Sequence, residues 1–273
     1  MTISVAQQLL VVWGATSLVM VVSWLLQRVT RNAGIVDVAW SGGMGVAALF
    51  YALTSDGDFE RRWLLGVLAG VWSLRLTSYL FFDRFLGKPE DGRYQMLRQR
   101  WSPREGLYFF GFFQLQALWV VYFSLPFLVV AHHIGPLDVW SVVGLTVWCI
   151  AVAGEFLADL QLARFRSDPS NAGKTCRRGL WRYSRHPNYF FEWVHWWSYV
   201  FLSVGSFFLW LSFVVMGTMY WFLLKVTGIP YTEMRALETR GDDYRDYQRR
   251  TSAFIPWKPR NLEQTHEFDG RSG

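Results

Sequence analysis

The feature that most constrains this chain is its succession of long apolar segments separated by short polar loops. A helix needs about 20 mainly apolar residues to cross a bilayer. Segments of about that length cover residues 6–26, 34–54, 63–82, 107–131 and 137–156, and a pair follows over 189–203 and 205–227. The pattern predicts an all-α, multi-pass transmembrane helix bundle with about seven spans. A hydrophobic content of 52%, which includes 16 tryptophans, agrees with this class.

The basic residues are unevenly distributed along the chain, whose formal net charge is +6. They follow the first, third, fifth and seventh spans, and few lie in the loops between. The positive-inside rule then predicts an N-terminus outside, a C-terminus inside and an active site facing the cytoplasm. This topology accounts for the charge without a nucleic-acid partner, and membrane lipid is the expected partner. The first span lacks a basic leader and a cleavage pattern, which predicts a retained helix.

Cysteine and histidine spacing predicts neither a disulfide framework nor a metal site. Cys149 lies in a span and Cys176 in a loop, so they are not expected to pair. The sequence contains no Cys/His cluster with zinc spacing.

A basic loop leads directly into an aromatic helix over residues 177–199. Pro187 suits the first position of a helix, where its missing N–H costs nothing. At helical spacing from it, one face carries Asn188, Glu192, His195 and Tyr199. The residues just before the helix are mostly basic, at a helix N-terminus that favours anions: Arg178, Arg182, Arg185 and His186. This stretch predicts binding of a ligand that bears phosphate or carboxylate.

Charged side chains within the spans are costly in lipid and therefore indicate function. Six such side chains fall in the cytoplasmic half under the predicted topology: Asp37, Arg75, Glu155, Asp159, Glu192 and Lys225. Their shared level predicts one polar pocket. For Asp37, a structural ion pair stays open as an alternative to a functional role. For Arg75, the alternatives are that it snorkels to the interface or that it pairs with Asp37.

Three motifs carry a resemblance to a known family: V-D-x-x-W at 36–40, E-D-x-R-Y at 90–94 and R-H-P-N-Y at 185–189. With them the chain resembles the steroid 5-alpha-reductase superfamily, from about residue 31 to 257. The resemblance implies a single transmembrane reductase-like domain over residues 1–257. The polar tail over 258–273 is predicted to be disordered.

The resemblance implies NADPH-dependent reduction of a carbon–carbon double bond conjugated to a carbonyl, in an apolar acceptor such as a steroid, an isoprenoid or a fatty enone. Asp37 matches the acid that polarises the carbonyl oxygen with a tyrosine. Tyr79 is the candidate for that tyrosine, because Leu76 stands where one is expected. Low dielectric is expected to keep Asp37 partly protonated. Glu192 completes the predicted catalytic set, and the protein is expected to be a monomer.

The predicted cofactor-binding residues combine this resemblance with the polar face and loops described above. They are Arg75, Glu155, Asp159, Arg164, Arg166, Lys174, Arg178, Tyr183, Arg185, His186, Asn188, Tyr189, Glu192, His195 and Glu233. One departure from the family is Phe191, which replaces a glycine before the acid and is expected to narrow the groove.

Two other functions remain open. Membrane methyltransferases that use S-adenosylmethionine resemble the R-H-P-x-Y stretch and the tail around Glu233, although they generally have fewer spans and lack the other two motifs. A non-catalytic lipid-binding protein is the second alternative, because Phe191 could block the groove.

Overall fold

A computed structural model describes residues 3–260, and this part of the chain is helical with connecting loops. Its α-helices are α1 (Val5–Thr30), α2 (Ile35–Thr54), α3 (Phe59–Leu80), α4 (Gly92–Trp101), α5 (Glu105–Phe123), α6 (Leu125–Ala131), α7 (Val139–Ser167), α8 (Pro187–Leu202), α9 (Leu209–Trp221), α10 (Ile229–Arg240) and α11 (Asp242–Arg250). The all-α prediction is confirmed.

Six of the described helical segments are long and apolar enough to cross a membrane, which defines an integral multi-pass protein. They are Val5–Thr30, Ile35–Thr54, Phe59–Phe85, Glu105–Ala131, Val139–Ser167 and Leu209–Arg240. The predicted sixth of seven spans is α8, which has 16 residues. Its length of about 24 Å falls short of a hydrocarbon core of about 30 Å. Soon after its end, Gly205 takes a φ of +92°, a backbone conformation that glycine adopts readily.

The described chain divides into two compact units, and the first runs up to Val142 and includes Tyr199–Val215. Within it α2 and α3 pack as an antiparallel pair. Ser73 Oγ donates to Ser41 O at 2.7 Å, and a side chain at Gly45 would overlap Ser73. The glycines of α2 were expected to allow close helix packing, and this is confirmed at Gly45.

The helices α1 and α5 of the first unit are also antiparallel. Trp24 Nε1 donates to Gly106 O at 2.9 Å, and Gln114 Nε2 donates to Ser17 O at 3.4 Å. The C-terminal end of α1 and the N-terminal end of α5 therefore lie together. A buried apolar cluster that includes Met20, Phe109 and Phe113 fills the space nearby.

The second unit comprises Val143–Ser198 and the chain from Met216 onward. Its α8 begins at Pro187, as predicted. The loop before α8 is held by the C-terminal segment, because Ser184 Oγ donates to Phe254 O at 2.8 Å and the Trp257 N–H donates to Tyr183 O at 2.9 Å. Residues 261–273 of the tail predicted to be disordered lie outside the described residues.

Candidate functional site

Asp37 lies in the first turn of α2, where the helix dipole favours a carboxylate. The hydroxyl of Tyr94 donates to its Oδ1 at 2.7 Å, and Nη2 of Arg93 donates to its Oδ2 at 3.1 Å. The Asp37 side chain is 29% exposed. An acid that the sequence identifies as costly in lipid is thus bonded to protein donors at both oxygens.

These donors lie in the first turn of α4, and the residues just before it are tied to the start of α2. Oε1 of Glu90 accepts from the Ala33 N–H at 2.8 Å, and Asp91 caps α4 by accepting from the Arg93 N–H at 2.9 Å. Asp91 also accepts from Arg93 Nε at 3.2 Å, which orients the guanidinium. The V-D-x-x-W and E-D-x-R-Y motifs are therefore two halves of one local structure.

The Tyr94 hydroxyl holds its proton firmly. Burial, followed by the negative charge of Asp37, raises the pKa of Tyr94 well above its usual value. Burial acts to lower the pKa of Arg93, but the charges around it, with Asp37 first, raise that pKa well above the usual value. Burial acts to raise the pKa of Asp91, yet Arg93 more than offsets it and the pKa is lowered. The Asp37 carboxyl group therefore lies between a protonated phenol and the Arg93 guanidinium.

The sequence predicts Tyr79 as the partner of Asp37, whereas the structure places the Tyr94 hydroxyl on that carboxylate. Tyr79 and Arg75 are half-buried residues of α3, and their roles stay predictions. Neither Tyr94 nor Arg93 is predicted from the sequence, although both stand in a quoted motif. One signal in the sequence could have found them. Asp37 is an acid in a span and needs hydrogen-bond donors, and the polar loop carries an arginine next to a tyrosine.

In the second unit, a cluster of charged and polar side chains forms around Glu233 of α10. Arg185 Nε donates to its Oε1 at 2.6 Å, His186 Nε2 lies 3.2 Å from the same oxygen, and Gln248 Nε2 donates to Oε2 at 2.8 Å. Arg185 Nη1 also donates to the carbonyl oxygens of Gln248 and Thr251 at 2.9 and 2.8 Å. Three predicted cofactor-binding residues are thus brought together and are bonded to one another.

His186 is buried in this cluster, and that burial lowers its pKa below the ordinary value of 6.5, although Glu233 opposes the shift. The imidazole is therefore neutral at pH 7. A carboxylate only accepts hydrogen bonds, so Nε2 carries the proton in the contact with Glu233. The ring stacks on Tyr189, with centroids 5.5 Å apart and planes 5° apart.

Other predicted residues of the second unit form contacts around α8. Asn188 Nδ2 donates to Asp159 Oδ1 of α7 at 3.2 Å, and Trp196 Nε1 donates to Glu192 Oε1 at 3.1 Å. Glu155 and His195 are buried. Both helices therefore present polar side chains within one unit.

A basic cavity of about 190 Å³ lies between the end of α7, the following loop and α10. Its lining includes the cations Arg166, Lys174 and Arg240 and the carboxylate of Asp168. The loop is ordered locally, since Asp168 Oδ1 accepts from the Ser170 N–H at 2.9 Å. The excess of positive charge suits a phosphate group.

The remaining predicted residues are placed differently. Arg164, Arg178 and Tyr183 are exposed and do not line this cavity. Asp37, Arg75 and Tyr79 belong to the first unit and the other predicted residues to the second. Their convergence in one polar pocket stays a prediction.

Phe191, which stands where the resembled family has a glycine, fits against a glycine on α7. A side chain at Gly154 would overlap the Phe191 ring, so the bulk of the phenylalanine occupies the space that a glycine leaves open. The expected narrowing of the groove stays a prediction. Among residues 3–260, no group of three or more His, Cys, Asp or Glu side chains is arranged to hold a metal ion.

The fold and the site define an integral, multi-pass helical membrane protein with a buried tyrosine bonded to a carboxylate at the start of a span. The chain belongs to the family described as "Protein of unknown function (DUF1295)", which matches residues 23–251. This family is a steroid 5-alpha-reductase-like group. The chain is also similar to "Uncharacterized protein C594.04c" of Schizosaccharomyces pombe, with 25% identity over 268 residues that cover 86% of this chain and 76% of that protein.

Proposed function

We propose that this protein is a membrane-embedded reductase that uses NADPH to reduce a carbon–carbon double bond conjugated to a carbonyl in a lipid-like acceptor. The observation that carries the proposal is the bond of 2.7 Å between the Tyr94 hydroxyl and Asp37. Reduction of an enone develops negative charge on the carbonyl oxygen, and a preorganised, protonated donor stabilises that charge. Tyr94 has the required proton, which its raised pKa keeps in place.

The residues of the second unit fit the phosphates of a dinucleotide. Arg166, Lys174 and Arg240 surround a cavity with room for a phosphate group. Asp159, held by Asn188 at 3.2 Å, has a carboxylate that can accept from ribose hydroxyls. This donor set supports a phosphorylated cofactor.

When bound, NADPH supplies a hydride to the β-carbon of the acceptor. Tyr94 then turns its O–H from Asp37 to the carbonyl oxygen, where it stabilises the enolate that forms. Arg93 remains bonded to Asp37 and keeps the carboxylate in position. A proton from water completes the reduction at the α-carbon, so that one hydride and one proton are added across the double bond.

The first test is a thermal melt of the purified protein with nucleotide. We expect NADPH to raise the melting temperature and S-adenosylmethionine to leave it unchanged. Glu192→Gln is expected to abolish the NADPH shift, and Glu238→Gln, the same change at an exposed side chain paired with Arg235, is expected to retain it. A shift that survives Glu192→Gln would remove Glu192 from the cofactor site. A protein that responds to neither nucleotide would favour non-catalytic lipid binding.

The second test separates binding from chemistry. Asp37→Asn is expected to keep the NADPH shift and to stop NADPH oxidation with a panel of a sterol enone, an isoprenoid enone and a fatty enone. Retained oxidation in this variant would remove Asp37 from the reaction. Failure of all three acceptors with the unmodified protein would count against an enone substrate.

A methyltransferase is the second candidate, and one observation favours it. Arg185, His186 and Glu233 carry the resemblance to enzymes that use S-adenosylmethionine, and all three meet in one cluster. The melt decides between the candidates, since stabilisation by S-adenosylmethionine and not by NADPH would favour methyl transfer.

A further inference from the structure

The first unit contains a second basic cavity, which the proposed reduction does not use. It has a volume of about 490 Å³ and lies between the end of α1, the end of α4 and the start of α5. Among its described lining residues, four are arginines and one is an acid: Arg28, Arg31, Arg98, Arg104 and Glu105. The lining therefore carries a large excess of positive charge.

The cations of this cavity are held at different depths. Arg98 has a side chain only 13% exposed and is bonded to Glu90 at 2.7 Å and to Gln27 at 3.0 Å. Arg31 is 64% exposed and pairs with Glu105 at 2.8 Å. Arg28 packs over the Trp24 ring at 5.2 Å from its centroid. Arg98 is thus partly shielded from solvent, whereas Arg28, Arg31 and Arg104 are exposed.

Apolar side chains border the same place. Leu107 on α5 lines the cavity and is 68% exposed. Phe110, also on α5, is 36% exposed and packs edge-on against Trp24, the ring over which Arg28 lies. In a membrane protein such side chains face acyl chains. A free phosphate would use only the arginines, whereas a phospholipid would use the arginines and this apolar border together.

We propose that the cavity between α1, α4 and α5 binds the phosphate headgroup of an anionic phospholipid, with its acyl chains along the exposed apolar side chains of α5. Basic pockets between transmembrane helices bind such headgroups in other membrane proteins. The site is independent of the NADPH proposal, because its residues belong neither to the Asp37 pair nor to the cavity at Arg166.

The test titrates phosphatidylglycerol or phosphatidylcholine of the same acyl chains into the detergent-purified full-length protein, with lipid binding followed by native mass spectrometry and melting temperature. We expect tighter binding and a larger melting shift with phosphatidylglycerol. Equal responses to the two lipids would overturn the proposal. Inorganic phosphate is titrated in the same way as a third ligand. A melting shift with phosphate as large as that with phosphatidylglycerol would assign the cavity to a free anion instead.

Arg31→Asn combined with Arg104→Gln tests whether the arginines that line the cavity bind the headgroup. Arg31 ends α1 with a φ of +55°, and asparagine tolerates this left-handed conformation, so the change removes charge without adding strain. We expect binding of phosphatidylglycerol to weaken about thirtyfold, or about 2 kcal/mol, because each basic residue near the membrane contributes about 1 kcal/mol.

The matched control is Arg245→Gln with Arg249→Gln, which removes two cations that are each 66% exposed on α11. This control is expected to bind phosphatidylglycerol like the unmodified protein. Arg104→Lys, which keeps the charge, is expected to bind like it as well. If the double variant fails to fold, Arg104→Gln alone is compared with Arg104→Lys, and equal binding by these two would overturn the proposal.

Discussion

The hydroxyl of Tyr94 and the carboxylate of Asp37 are joined by a hydrogen bond of 2.7 Å across 57 positions of sequence. This bond connects the first turn of α4 to the first turn of α2. Arg93, the neighbour of Tyr94, pairs with the other oxygen of Asp37. Asp37 is therefore held at both oxygens, and through it the Tyr94 hydroxyl is fixed in position.

The exchange of one tyrosine at a time tests which of them donates the hydrogen bond to the carbonyl oxygen. Tyr94→Phe removes the hydroxyl and keeps the buried ring, so we expect the rate of enone reduction to fall by about 10²–10³-fold, the usual effect of removing one hydrogen-bond donor to an oxyanion. Tyr79→Phe, the same change at the tyrosine predicted from sequence, is expected to keep most of the rate. The NADPH-induced melting shift should survive in both. The opposite pattern of rates would restore Tyr79 as the donor.

A second pair of variants tests the basic cavity at the end of α7. Arg166 lines it and Arg164, two positions earlier, does not. We expect Arg166→Gln to weaken NADPH binding about tenfold, since a charged hydrogen bond contributes about 1.5–3 kcal/mol and this arginine is exposed. Arg164→Gln is expected to change binding less than twofold in the same fluorescence titration. Equal losses in both would assign the effect to net charge and not to the cavity.

The buried His186 makes stability depend on pH in one direction. Its pKa lies below 6.5 in the folded protein, so the unfolded chain binds more protons as the pH falls through and below 6.5, and acid favours unfolding. We expect the melting temperature to fall between pH 7 and pH 5, and His186→Gln to make that fall smaller.

The contribution of His133, in the loop before α7, to the pH dependence of the melting temperature must be separated from that of His186. Burial lowers its pKa as well, so His133→Gln is expected to remove its own share of the fall. If the melting temperature of His186→Gln depends on pH as that of the unmodified protein does, the burial of His186 has no effect on stability.

The fit of Phe191 against Gly154 is tested by a double-mutant cycle. Gly154→Ala places a methyl group where the ring lies, and overpacking of this kind costs about 1–3 kcal/mol. The same change is expected to cost much less in a Phe191→Ala background, because the ring is then absent. Melting temperatures of the four proteins measure the coupling, and additive losses would contradict the contact. As a control, Gly217→Ala on α9, where a Cβ has open space, should cost little in both backgrounds.

The sequence by itself determined the membrane class and the position of most helices. Long apolar runs require helices that satisfy their own backbone hydrogen bonds in lipid, and this argument is local. The start of α8 at Pro187 also follows from local chemistry, because proline lacks the N–H that a helix interior needs. The number of spans was harder to predict, since α8 has the composition of a span without the length.

Only the tertiary structure decided which side chains meet. Asp37 has several candidate donors in the sequence, and nothing local selects Tyr94 over Tyr79 or Arg93 over Arg75. Arg185 likewise finds its carboxylate 48 positions away, on α10. Partners this distant depend on how loops close and helices pack, because the free energy of a hydrogen bond is gained only when the fold brings its two groups within reach.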